Sequence, residues 1–83
     1  MKVQGDYVVT HVGDEIIACS LGAGKPRVVV LNETGEVLWH LLEQGAQEAE
    51  LTQALCREFE VTPSQAQADV AAFLENLKAH GVL

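Results

Sequence analysis

An α+β fold, with three antiparallel strands followed by three helices, is the fold class that the sequence predicts. β-branched and aromatic residues are concentrated in the first third of the chain, as is typical of strands. Apolar residues at helical spacing fill the remaining two thirds, where glycines and favourable capping residues divide them into three segments. The chain has 83 residues, so we expect one domain that spans residues 1–83.

The strand region contains three segments, which we predict as a hairpin and a third strand: residues 7–12, 15–20 and 27–31. Gly13 and Asp14 separate the first two segments, and a two-residue loop of this kind is typical of a β-hairpin. The third segment is apolar on both faces, so we expect both faces to be covered, at least when the protein is bound to its partner.

The first two helices are predicted from their apolar residues and from the residues at their ends. Asn32 is a favourable N-cap for the first helix, and Gly45 ends it. The second helix is predicted over about residues 47–58, with Leu51 and Leu55 on its apolar face.

The third helix has the clearest start signal in the chain. Thr62 is a capping residue, Pro63 suits the first helical position, and Gln65 stands three residues after the cap. Gly81 ends the helix. The apolar residues of this helix recur at helical spacing: Ala66, Val70, Phe73, Leu74 and Leu77.

The net charge of −7 lies entirely in the helical part of the chain. Residues 1–32 carry three cationic and three acidic side chains, whereas residues 33–83 carry two cationic and nine acidic ones. Nucleic-acid binding depends on cationic contacts with phosphates, and anionic membrane surfaces also attract cations. The charge distribution therefore argues against nucleic acids and membranes as partners.

Catalytic, metal and cofactor sites are not expected from the sequence, so we expect that the protein is not an enzyme. The three histidines are scattered over a strand and two helices, and no glycine-rich phosphate loop is present. Cys19 and Cys56 lie 37 residues apart, which fits neither a disulfide framework nor a zinc spacing. No apolar run is long enough for a signal peptide or a membrane span, so we expect a cytoplasmic protein.

Residues 51–70 resemble a helix-turn-helix, which raises DNA binding as a function. In such a unit the second helix reads bases with its first turns. Here those turns carry Ser64, Gln65 and Asp69, and the first cationic residue of the helix is Lys78. Because nothing near these residues would anchor phosphates, we favour a packing role for the unit.

Two stretches of the sequence carry motifs of a known family. Residues 31–39 are Leu-Asn-Glu-Thr-Gly-Glu-Val-Leu-Trp, and residues 61–63 and 68–83 contain Val-Thr-Pro and Ala-Asp-Val-Ala-Ala-Phe-Leu before a final Gly-Val-Leu. They are similar to the LNxTGxxxW segment and to the V-x-P … ADVxxFLxxLxxxGLL ending of the PqqD family, small proteins of pyrroloquinoline quinone biosynthesis and their relatives. The resemblance covers residues 7–83.

The resemblance implies a winged helix-turn-helix domain that recognises the leader of a ribosomally synthesised precursor peptide. In that family the leader adds as a strand to the third strand, lies against the third helix and is presented to a modifying enzyme, often a radical SAM enzyme. Strand addition also fits the third strand as the residues predict it, because it is short and expected at a sheet edge. The residues expected to bind the peptide are Arg27, Val28, Val29, Val30 and Leu31 on the strand and Asp69, Val70, Phe73, Asn76 and Leu77 on the helix.

Some of these assignments have a structural alternative. Val70 and Leu77 are more simply core residues, whereas Asp69 is either a contact for a leader Lys or Arg or a solvated helix residue. We favour Trp39 as a partly buried ring that anchors the first helix over a contact with the partner enzyme. A winged-helix regulatory protein and a domain that only holds an enzyme together are the alternative functions.

Overall fold

The computed structural model describes residues 1–22 and 24–83, so Ala23, in the predicted loop before the third strand, lies outside the described residues. The elements are β1 (Tyr7–Val12), β2 (Glu15–Ser20), β3 (Val28–Leu31), α1 (Glu33–Gln44), α2 (Glu48–Glu58) and α3 (Pro63–Ala79). The strands form one antiparallel sheet in the order β1-β2-β3. The predicted α+β class is therefore confirmed, and β3 lies at an edge of the sheet.

The β1–β2 hairpin has the predicted two-residue turn. Val12 pairs with Glu15, which leaves Gly13 and Asp14 as the loop. Gly13 has a φ of 61°, in the left-handed region that such turns require and that glycine adopts without a steric penalty.

The helices begin at the predicted capping residues. Asn32 Oδ1 accepts a hydrogen bond from the Gly35 amide at 2.7 Å, and Thr62 Oγ1 accepts one from the Gln65 amide at 3.1 Å. Gln47, which we expected inside the second helix, is instead its N-cap. The Glu50 side chain accepts a hydrogen bond from the Gln47 amide at 2.8 Å, and the Glu50 amide donates to the Gln47 carbonyl at 3.0 Å, so the first turn is satisfied without Gln47 being helical.

The hydrophobic core lies between the helices and one face of the sheet. Trp39 is fully buried, and its ring meets the Tyr7 ring edge-on with the centroids 5.1 Å apart. The interpretation of Trp39 as an anchor of α1 is therefore confirmed. The other large, fully buried side chains are Leu38, Leu42, Leu51, Leu55, Val70, Leu77 and Val82.

The segment before β1 joins the helical layer through backbone hydrogen bonds. The Met1 ammonium donates to the Ala46 carbonyl at 2.8 Å, and the Gln4 amide donates to the Val82 carbonyl at 2.9 Å. These bonds hold the α1–α2 connection and the turn after α3 against the same stretch of chain. No helix among the described residues is long and apolar enough to cross a bilayer.

Candidate functional site

The two faces of β3 differ sharply in exposure. Val29 and Leu31 are 2% and 5% exposed and face the helices, whereas Val28 and Val30 are 53% and 63% exposed. The exposed pair belongs to the outer face of the sheet, because helices pack only on the inner face. The outer face of β3 is thus uncovered in the isolated chain. Our expectation that both faces are covered therefore applies to the bound protein and stays a prediction.

The backbone of β3 offers free hydrogen-bonding groups at the edge of the sheet. The Ser20 amide donates to the Arg27 carbonyl at 2.9 Å, so these two residues form a hydrogen-bonded pair. Such pairs alternate along an antiparallel ladder, and the register makes Val29 and Ala18 the next one. The amides and carbonyls of Val28 and Val30 therefore point away from β2, toward the open edge.

A cleft runs between β3 and the side of α3 that faces it. It consists of two hollows of about 310 and 290 Å³, which share Asn32, Phe73 and Asn76 in their linings. We call it the β3–α3 cleft. Its remaining lining residues are Val30, Leu31, Thr34, Gly35, Leu38, Asp69 and Ala72.

Three of the helix residues predicted to bind the peptide line this cleft, and two do not. Asp69, Phe73 and Asn76 lie on its wall. Val70 and Leu77 are fully buried in the core, so they contribute no accessible surface, and the core interpretation of both residues is the one that the structure favours. The reason is helical geometry: the stripe that faces the cleft is rotated by about one residue from the stripe that faces the core.

Asn32, Thr34 and Gly35 are cleft residues that the sequence analysis did not assign to the site. They form the start of α1, directly after β3, where the chain turns from the sheet into the helical layer. The signal for them was present in the sequence, because a capping Asn and a glycine follow immediately after the strand predicted to bind the peptide. The turn into α1 therefore places Asn32 and Gly35 beside β3.

Two of the three histidines, His11 and His40, contact carboxylates on the surface, whereas His80 Nδ1 lies 2.8 Å from the Asn76 carbonyl. His11 Nε2 lies 2.7 Å from Glu36 Oε2, and His40 Nδ1 lies 3.1 Å from Glu43 Oε1. Among the described residues no group of three or more His, Cys, Asp or Glu side chains is placed to hold a metal ion. Cys19 and Cys56 are both half-buried free thiols.

Comparisons with known proteins concern the family and the fold of this chain. The sequence profile of the family described as Coenzyme PQQ synthesis protein D (PqqD) matches residues 8–83. The fold is similar to that of TbiB1 in complex with the TbiA(beta) leader peptide, with a TM-score of 0.78, 30% sequence identity, and coverage of 100% of this chain and 94% of that chain. It is also similar to lasso peptide synthetase B1 complexed with the leader peptide, with a TM-score of 0.74, 25% identity, and coverage of 98% and 93%. No curated protein sequence matches this chain.

Proposed function

Since this chain belongs to the PqqD family, we propose that it is a peptide-binding adaptor that captures the leader of a ribosomally synthesised precursor peptide and takes no part in the chemistry itself. Both similar structures are of proteins held in complex with a leader peptide. The bound leader adds to β3 as a fourth strand and lies in the β3–α3 cleft. The protein then presents the peptide to a modifying enzyme.

The observation that carries this proposal is the position of the open edge of β3 beside the cleft. Val28 and Val30 direct unpaired amides and carbonyls outward, and an extended peptide needs such groups to form a ladder. Phe73 and Asn76 line the same hollow as Val30. β3 thus binds the peptide backbone, while α3 contacts the peptide side chains that face the helices.

We further propose that the modifying enzyme is a radical SAM enzyme and that both partners meet in the cytoplasm. The PqqD family resemblance supports the enzyme class, and the two free cysteines suit a reducing compartment. The genes beside that of this protein test the assignment. A radical SAM gene and a short precursor gene are the expected neighbours, and a different class of modifying enzyme would overturn that part of the proposal.

A proline in place of Val30 tests strand addition and leaves the hydrogen bonds between β2 and β3 intact. The Val30 amide points to the open edge, so Val30→Pro removes a donor for the peptide and no hydrogen bond to β2. Proline is also tolerated on edge strands. The probe is a random library of displayed 12-residue peptides, selected on the wild-type protein, and the affinity of the recovered peptides is then measured by calorimetry.

We expect Val30→Pro to lower the affinity at least about tenfold, which corresponds to about 1.4 kcal/mol, the scale of one lost hydrogen bond. Val30→Thr keeps the amide and the branched side chain, so it is expected to bind like the wild type. His11→Pro is the matched control on the opposite edge strand, where the His11 amide also faces outward. Circular dichroism verifies that all variants fold, and full affinity of a folded Val30→Pro variant would overturn the proposal.

A further inference from the structure

Two side chains of opposite charge flank the region between β3 and α3: Asp69 lines the β3–α3 cleft, whereas Arg27 lines a neighbouring hollow beyond it. Arg27 precedes β3 and lies on the same side of the sheet as Val29 and Leu31, the side that faces the helices. Its guanidinium lies beside Gly81. A Cβ built on that glycine would lie 3.6 Å from Arg27 Cζ and Nη2 and 3.7 Å from Arg27 Nε. The cation therefore stands where β3 begins and α3 has ended. Within residues 1–22 and 24–83, no carboxylate forms a salt bridge with it.

The acidic side chain of the pair belongs to the cleft itself. Asp69 lines the cleft near the first turn of α1, and its Oδ1 accepts a hydrogen bond from Gln65 Nε2 at 2.8 Å. That bond holds the half-buried carboxylate in place and leaves its second oxygen available. No cationic side chain forms a salt bridge with Asp69 in the described part of the chain. Both groups are thus charged, and neither forms a salt bridge with any described residue.

The separation of the two charges matches a short stretch of extended peptide. From Asp69 to its last residue, Ala79, α3 rises about 15 Å at about 1.5 Å per residue, and Gly81 follows two residues later. From Arg27 to Asn32, the strand advances about 16 Å at about 3.3 Å per residue. On an added strand, only every second side chain faces the helices, so residues four apart span about 13 Å and residues six apart about 20 Å. Two peptide side chains at either spacing reach both charged groups.

Phe73 is the aromatic side chain of the cleft, and it lines both hollows together with the polar side chains of Asn32 and Asn76. A peptide side chain between the two charged ones faces this ring, where an apolar group loses no hydrogen bonds on binding. From the start of β3 toward the first turn of α1, the surface therefore presents the Arg27 cation, the Phe73 ring and the Asp69 carboxylate in that order.

We propose that the cleft selects peptides by charge order: a segment with an acidic residue at the Arg27 end, an apolar residue over Phe73 and a basic residue at the Asp69 end. The acidic and basic residues stand four or six positions apart on the same face of the added strand. This inference rests on the proposed function and specifies its substrate class. For any one peptide it also fixes the direction in which the chain runs along β3, because the reverse direction places like charges together at both ends.

Charge reversal in the protein tests the inference. The same library of random 12-residue peptides is selected on the wild type and on the double variant Arg27→Glu with Asp69→Lys. The wild type is expected to enrich peptides that carry the acid and the base in one order, and the double variant peptides that carry them in the opposite order. The neutral control, Arg27→Gln with Asp69→Asn, keeps the shape of the cleft and is expected to enrich apolar residues without a charge order.

The affinity of one recovered peptide and of its charge-swapped counterpart completes the test. We expect the swap to weaken binding to the wild type about fivefold for each exposed ion pair lost. The single variants Arg27→Glu and Asp69→Lys, each verified by circular dichroism, are expected to invert the preference at one position only. If the recovered peptides bind through the Val30 amide but show no charge order, the inference fails while the proposed function stands. The same holds if they show one charge order on both the wild type and the double variant. Failure to enrich any peptide on the wild type would overturn the proposed function as well.

Discussion

Phe73 packs against the backbone of Gly35, where α3 crosses the first turn of α1. A Cβ on Gly35 would lie 3.3 Å from Phe73 Cε1 and 3.0 Å from Asn32 Oδ1, closer than most real Cβ contacts. Gly35 thus allows the ring to form the wall of the cleft while Asn32 caps the helix. One glycine therefore connects the stability of α1 with the shape of the proposed binding surface.

Gly35→Ala is expected to weaken peptide binding with little change in stability. Alanine improves helix propensity by about 1 kcal/mol, while displacement of the Asn32 cap costs about as much. The Phe73 ring must shift by a few tenths of an ångström, and this shift alters the cleft directly. Thermal unfolding is expected to stay within about 4–8 °C of the wild type, the shift that about 1 kcal/mol produces in a domain of this size.

Calorimetric titration with a library-selected peptide measures the effect of Gly35→Ala on binding. We expect the affinity to fall several-fold. Phe73→Leu serves as a second variant, because it leaves Gly35 intact and changes only the wall of the cleft. Wild-type affinity of Gly35→Ala would show that the contact between the ring and the glycine does not shape the binding surface.

Trp39→Phe is expected to destabilise the fold without changing peptide affinity. The indole is fully buried, and its Nε1 has no hydrogen-bond partner among the described residues, so the substitution removes packing rather than a hydrogen bond. Loss of part of a buried ring leaves a cavity and costs about 1–3 kcal/mol. Urea unfolding followed by circular dichroism measures the cost. An unchanged free energy of unfolding would contradict the core role of this residue.

Duplex DNA is expected not to bind in a sequence-dependent way. The exposed residues at the start of α3, Pro63, Ser64 and Gln65, include no cation, and the helical part of the chain carries the whole net charge of −7. A gel-shift assay with a pool of random duplexes at physiological salt tests this expectation. A sequence-dependent shift below micromolar protein would favour the regulatory alternative.

The order of the elements was predictable from the sequence because its signals are local. Thr62 and Pro63 start α3 where the capping pattern places it, and Gly13 and Asp14 form the loop of the hairpin. The edge position that we expected for the short, apolar third strand is also confirmed.

Which surface each side chain faces could be determined only from the tertiary structure. Sequence spacing alone grouped Phe73 with Val70 and Leu77, although only Phe73 reaches the cleft. Val29, at the centre of its strand, is the natural choice for a disruptive proline, yet its amide belongs to the ladder with β2, and Val30 holds the amide at the edge. Both distinctions depend on how the elements pack, which the spacing of residues does not specify.

Amide hydrogen exchange at Val30 tests strand addition most directly. In the free protein the Val28 and Val30 amides face the open edge, whereas the Val29 amide is paired with β2. Exchange is followed by NMR with and without a saturating amount of a library-selected peptide. The His11 amide, at the opposite edge, is the internal control.

We predict that the bound peptide slows exchange at Val28 and Val30 at least about tenfold, because both amides then donate to the peptide backbone. Exchange at His11 is predicted to stay unchanged. Unchanged exchange at Val28 and Val30 in the fully bound protein would contradict capture by strand addition at β3.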